Sequence, residues 1–381
     1  MKAIRLTGIA WLLIAGLSAQ VLAEEPEDAE EAAFQDVYDH PDKGREAFIL
    51  RLGDFALSLN PHLQVQTHFY LGDDSLVENG DVATTEGFRI RRARVGFHGS
   101  WKQELGLNLV VDLHDDLAGG NVIHAANLVY RPWAFANFAL GTAPVLFCRG
   151  SMTSSAKLQL IERPATVQAL SAESQLGFAV MGKVLDGELE YGAGIYNGGP
   201  GFTHEDLGEG FLYAGRIQYA PFGEMPSGES DRDNSPLRMA VGLDYYYSHD
   251  SSIDTHAFSA DLALKWRGLS VLAEWLYDMR EPEQEPALPP AISGKTDRRG
   301  WYVQAGYFVL GDYLEVAARF EWLDDNIFIA DTGDLWLLTG GVNGFLLDGQ
   351  LKLQLNYIHK DERNAPELDN DVLFLQAQVD F

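Results

Sequence analysis

The feature that most constrains this chain is an alternation of apolar and polar residues that persists from Leu57 to the last residue. Leu351, Leu353, Leu355 and Tyr357 share one parity, and Lys352, Gln354 and Asn356 share the other. A period of two is the signature of a strand whose faces meet different surroundings. The pattern recurs in Leu105–Leu113 against Glu104, Asn108 and Asp112, and in Leu189–Ile195 against Glu188 and Glu190. It recurs again in Leu237–Tyr247 against Arg238 and Asp244, and in Phe258–Trp266 against Asp261 and Lys265. Leu314–Trp322 opposes Glu315, Arg319 and Glu321, and Leu373–Phe381 opposes Gln376, Gln378 and Asp380. We expect an all-β protein of about 16 such segments.

Connections between the segments fall into two kinds. Asp186-Gly187, Arg267-Gly268 and Asp348-Gly349 are tight hairpin signals. Gly72–Gly87, Asn197–Gly210 and the Pro-rich Met279–Gly300 read as long loops. Short turns alternating with long loops, around strands with one uncharged face, describe a transmembrane antiparallel β-barrel, apolar outward and polar inward. Aromatic rings near the strand ends (Trp101, Trp266, Trp275, Tyr277, Trp301, Trp322, Phe381) suit the two bilayer interfaces. A soluble β-propeller or sandwich is the competing architecture. Outside the N-terminus, no stretch offers the run of about 20 apolar residues that a spanning helix needs.

The N-terminus reads as an export signal. Lys2 and Arg5 precede an apolar stretch from Leu6 to Leu17, and Val21-Leu22-Ala23 supplies a small-residue cleavage site, so residues 1–23 are expected to be removed. Residues 24–54 form an acidic periplasmic segment in this reading, and residues 55–381 the barrel. The net charge of −28 falls to −30 without Lys2 and Arg5, which excludes a general nucleic-acid binder. The single Cys148 excludes an internal disulfide framework and reads as a free structural thiol. Neither Gly-x-Ser-x-Gly nor His-Glu-x-x-His occurs, and neither a cofactor nor a metal site is expected. His204-Glu205-Asp206 reads as a solvated loop.

Four stretches carry a family resemblance over about Phe55–Phe381. They are Phe88–Gly96 with its four arginines; Thr153-Ser154-Ser155 with Ile161-Glu162-Arg163 and Gln175-Leu176-Gly177; Gly300–Tyr307; and Leu351–Tyr357 with the terminal strand. Together they resemble the phosphate-selective porin O and P family. That resemblance implies a trimeric sixteen-stranded barrel in the outer-membrane lipid of a Gram-negative bacterium. It also implies a third loop folded inward at the constriction, through Ser154, Ser155, Glu162 and Arg163, and uptake of small anions such as phosphate. One departure is plain: where family members often carry a lysine, this chain reads Gly141-Thr142-Ala143-Pro144-Val145-Leu146-Phe147.

Charge rings in a narrow pore select solutes. By parity Arg92 and Arg94 face inward, and Arg216, Arg238, Lys265, Arg319 and Lys352 are further inward candidates. Arg149 and Lys157 join them from the third loop. Arg89 and Arg91 have the wrong parity, so either they lie at the outer rim or a bulge turns them inward. The acids Glu104, Asp112, Glu188, Glu190, Asp244, Asp261, Glu274, Glu315 and Glu321 read onto the same inner face. They leave open a non-selective or weakly cation-selective general porin, and an outer-membrane hydrolase is a third reading. Glu162-Arg163 reads as an ion pair that anchors the loop to the wall.

Overall fold

The computed structural model describes residues 48–72, 86–114, 122–198, 210–250, 253–282, 295–330, 333–364, 366 and 368–380. The expected signal segment, the reading of His204–Asp206 and the terminal Phe381 lie outside them.

The alternating segments become strands β1 (Phe48–Leu52), β2 (Phe55–Tyr70), β3 (Gly87–Trp101), β4 (Leu105–Asp112), β5 (Ile123–Trp133), β6 (Ala136–Ala143), β7 (Gln175–Val184), β8 (Leu189–Tyr196) and β9 (Leu212–Tyr219). They continue as β10 (Arg238–Asp250), β11 (Ile253–Trp266), β12 (Leu269–Pro282), β13 (Thr296–Leu310), β14 (Leu314–Asp324), β15 (Leu335–Leu346), β16 (Leu351–Glu362) and β17 (Val372–Asp380). Each of β2–β17 pairs antiparallel with its sequence neighbour, and β17 returns to β2, from Val372↔Tyr70 to Asp380↔His62. The wall is therefore a closed sixteen-stranded antiparallel barrel without a free edge. The short β1 pairs with the lower half of β2, from Phe48↔Leu59 to Leu52↔Phe55, and so continues the column of β17. Sheet thus begins ahead of the alternation at Leu57 that the sequence displays.

Burial follows parity. Along β16, Leu353, Leu355 and Tyr357 are exposed, while Lys352, Gln354 and Asn356 are buried. An apolar outer face over a polar inner one is stable only where lipid lies outside. Among the described residues no helix is long and apolar enough to cross a membrane. Trp275↔Trp301, Trp301↔Trp322 and Trp322↔Trp336 are direct partners on four successive strands, giving a continuous aromatic row near the long-loop end.

The turns match their residues. Arg267 and Gly268 both have positive φ (50° and 84°), as a two-residue turn between right-twisted strands demands. β12 and β13 extend as far as Pro282 and Thr296, so the connection between them is shorter than Met279–Gly300 suggests. Glu104 and Glu188 sit in turns rather than on the inner wall.

The third loop, residues 144–174, carries α1 (Arg149–Met152), a single 3-10 turn (Ser155–Lys157) and α2 (Ala165–Leu170). Its opening stretch corrects the expectation of a uniformly polar interior. Val145, Leu146, Phe147 and Cys148 are at most 1% exposed and join a cluster with Ala139, Ala179, Met181, Tyr196, Leu212 and Ala214, all on inward positions of β6–β9. Small inward residues leave room for the loop to pack there: a Cβ on Gly192 would come within 2.8 Å of Leu146. The stretch Val145–Cys148 is thus a buried apolar contact, in which a lysine ammonium is costly.

Candidate functional site: the third loop and the arginine track

Where a loop packs against a barrel wall, its backbone must be satisfied without bulk water. Here the inner wall supplies the donors. Gln64 donates to the carbonyl oxygen of Ser155 (3.2 Å), Gln378 to that of Ala156 (2.9 Å), Asn343 to that of Gln159 (2.7 Å) and Arg319 to that of Glu162 (3.0 Å). Lys352 donates to the carbonyl of Leu158. The wall amides are themselves chained: Gln66 to Gln376 (2.7 Å), Gln376 to Gln354 (2.8 Å), Gln354 to Asn343 (3.0 Å) and Asn343 to Glu315 (2.9 Å). This ladder crosses β2 and β17 to β14, and every member is buried. Sequence reasoning passed over these glutamines because it weighted charge; their inward parity was the available signal.

Charged wall residues anchor the loop in the same way. The Glu274 carboxylate accepts the backbone N–H groups of Arg149 (2.6 Å) and Gly150 (3.1 Å) at the start of α1, and the Tyr302 hydroxyl (2.8 Å). Arg149 Nε reaches Asp261 at 2.5 Å. Arg216 lies between Asp244 and Asp261, at 2.6 Å from each. Oxygens of Asp244, Asp261 and Glu274 come within 4.8 Å of one another, a spacing that a cation accepts, but two guanidiniums already compensate this cluster. Arg319 pairs with Glu321 at 2.6 Å. Lys265 donates to two backbone carbonyls between β9 and β10, and Arg238 lies at the short-turn end, donating to the carbonyl of Phe222. Buried, partnered cations such as Arg216, Arg319 and Lys352 act as architecture here.

The arginines of β3 are arranged differently. Register against β2 runs from His62↔Arg94 and Gln64↔Arg92 to Val65↔Ile90 and Gln66↔Arg89, so Arg91 is the extra residue of a bulge. The bulge reverses the side-chain phase. Arg89 and Arg91 therefore reach inward with Arg92 and Arg94, resolving their awkward parity. Arg91 Nε lies 2.9 Å and Arg89 Nη2 3.7 Å from Glu162 of the third loop. Arg92 donates to Gln64 (2.6 Å); Arg94 pairs with Asp112 (2.7 Å) and donates to Ser155 Oγ (3.2 Å). Glu162 and Arg163 are not each other's anchor. Arg163 donates to the carbonyls of Gly150 and Thr153, closing the loop on itself. Burial opposes ionisation of Glu162, but Arg91 and Arg92 overcome it and hold its pKa down to about 2. Ser154 caps the 3-10 turn, accepting from Ala156 N at 3.3 Å, and Lys157 donates to Ser227 at 2.9 Å.

Exposure then distinguishes four arginines from the acids beside them. Side chains of Arg91, Arg89, Arg94 and Arg149 retain 31%, 20%, 17% and 13% of their accessibility. The carboxylates that share this space are sealed: Asp112, Glu162 and Asp261 keep 2%, 6% and 0%. Glu190, Asp244, Glu274, Glu315 and Glu321 are buried as well.

The family model for the phosphate-selective porin O and P matches residues 63–381. The chain belongs to this family. It is an outer-membrane porin, and in such barrels the short turns lie at the periplasmic end. Solved structures share the fold at low identity. The in-vitro folded outer-membrane protein OmpT of Vibrio cholerae, in its trimer form, is 13% identical at a TM-score of 0.56, covering 86% of this chain and 99% of that one. An anion-selective porin from Comamonas acidovorans is 12% identical at 0.54, covering 86% and 100%. The outer membrane channel DcaP of Acinetobacter baumannii is 12% identical at 0.54, covering 87% and 99%. Among curated proteins none matches by sequence.

Proposed function

We propose that this porin passes small hydrophilic anions by passive diffusion, with oxyanions such as phosphate among them, and has no enzymatic role. The observation that carries the reading is the separation of charge by exposure. The net charge of −28 suggests a cation pore, yet a permeating ion is steered by the charges it meets. Around the third loop the partly exposed cations are Arg89, Arg91, Arg94 and Arg149, while Asp112, Glu162, Asp261 and Glu274 beside them are buried in ion pairs and hydrogen bonds. Lys157, Ser154 and Ser155 add donors along the same loop. Family membership and the anion selectivity of the Comamonas acidovorans porin support the same direction.

The working unit in this reading is a homotrimer, in line with the trimer form of the Vibrio cholerae protein. Residues 1–23 are removed on export, the acidic segment ahead of β1 stays periplasmic, and the barrel that β1 joins lies in outer-membrane lipid. The test is substitution of Arg91 and Arg94 together by Gln, followed by reversal-potential measurement in a KCl gradient across a planar bilayer. The potential is expected to move toward cations; an unchanged potential sinks the proposal.

A further inference from the structure

Most periplasmic connections are short, among them residues 102–104, 134–135, 267–268 and 311–313. Residues 220–237, between β9 and β10, are far longer and do not behave as a surface turn. Met225, Glu229, Asp231 and Ser235 are buried, and a solvated turn has no cause to bury two acids. The segment enters the barrel and meets the third loop from below. Glu229 Oε2 accepts the backbone N–H of Gln159 (2.7 Å) and the side-chain amide of Gln304 on β13 (2.8 Å). Its own N–H donates to the carbonyl of Lys157 (3.2 Å), whose ammonium donates to Ser227 Oγ (2.9 Å). Lys265 on β11 holds the carbonyls of Pro226 (3.1 Å) and Ser227 (3.0 Å).

The far half is tied across the periplasmic mouth. Asp231 accepts the N–H of Gly268 at 2.7 Å, and Arg232 reaches Asp312 at 3.3 Å and the carbonyl of Asp348 at 2.7 Å. These residues belong to three successive hairpin turns, β11–β12, β13–β14 and β15–β16. Between loop and segment lies an open cavity of about 60 Å³, lined by Arg149, Ser154, Lys157, Ser227, Glu229 and Lys265 among others. Its polar lining is chiefly cationic and hydroxyl-bearing, and the one engaged oxygen of Glu229 is committed to Gln159 and Gln304.

We propose that residues 220–237 are a periplasmic strap forming a second constriction below the third loop, where Lys157 and Ser227 face a departing oxyanion. The inference rests on the channel reading above and adds to it a second narrowing of the pore, near its exit. Two obstacles in series both limit conductance, so changing either one changes the current.

The test uses the whole protein in planar bilayers. Cys148 is the chain's single cysteine and is buried, so Ser227→Cys places one accessible thiol at the strap. Labelling with the anionic reagent sulfonatoethyl methanethiosulfonate should lower the single-channel conductance of this variant by roughly twofold and leave the wild type unchanged. A second variant, with the strap replaced by a short Asn-Gly turn, should conduct roughly twofold better than wild type. A Ser227→Cys channel that labels fully by mass spectrometry yet conducts as before overturns the strap, and so does one that fails to label. Wild-type protein that forms no channels overturns the channel reading itself, and the strap with it.

Discussion

Replacing Glu162 by Gln isolates the charge on the arginine track while keeping an amide where Gln66 now donates to the carboxylate at 3.1 Å. Arg89, Arg91, Arg92 and Arg94 line this side of the pore, and Glu162 and Asp112 offset them. The substitution removes one negative charge next to Arg91, which lies 2.9 Å away and is 31% exposed. For an ion passing about 8 Å away through water, one unit charge is worth about 0.5 kcal/mol, a factor of about two in local concentration. The factor acts in opposite senses on chloride and potassium, so their permeability ratio should rise about two- to fivefold, less at high salt. Breaking a buried pair costs about 3–5 kcal/mol, but partial exposure of the arginines reduces the anchoring lost here to about 1–3 kcal/mol. The wall-to-backbone hydrogen bonds should therefore keep the loop in place. The assay is the reversal potential in a KCl gradient, with single-channel conductance as the check that the loop is still docked. An unchanged ratio at unchanged conductance, or a move toward cations, refutes the reasoning.

Other consequences are as direct. Arg94→Gln alone should shift the potential further toward cations than Arg92→Gln, because Arg92 is 6% exposed and hydrogen-bonded to Gln64; equal shifts count against the exposure argument. Glu162 has a depressed pKa, so its contribution is complete above its ordinary value of 4.5 and is lost as pH falls through about 2. Conductance and selectivity that depend on Glu162 should therefore persist from neutral pH to about pH 4, and a midpoint near 4.5 that vanishes in Glu162→Gln contradicts the ion pairing. Gly141 has φ +132° and a Cβ there would lie 2.2 Å from the carbonyl oxygen of Ala126. Gly141→Val should cost several kcal/mol, on the order of 3 or more, read as loss of the heat-resistant band in a gel-shift folding assay; wild-type mobility contradicts the close approach.

The wall was legible because a closed barrel imposes one local rule on every strand. The inward positions of β14 and β16, Glu315, Arg319, Glu321, Lys352, Gln354 and Asn356, follow directly from parity. The Arg89 and Arg91 positions were legible only as a conflict, since a bulge leaves no other trace in a single sequence. Partnership was not legible. Glu162 and Arg163 are neighbours in the chain, yet the loop's path sends one to β3 and the other to the loop's own carbonyls. The balance of lumen charge was misleading for the same reason: parity says which face a carboxylate occupies, but only the folded loop decides whether an ion meets it. The strap escaped notice because Gly, Ser, Asp and Pro at 221–236 are ordinary turn residues, and their burial depends on contacts with β11, β13 and the third loop.

The central claim is that an acidic porin presents a positive lumen to its solutes. Its most direct test is the reversal potential of the wild-type channel in a KCl gradient, repeated with potassium phosphate. The account predicts a potential of the sign set by the anion in both salts. A potential of the sign set by potassium contradicts it.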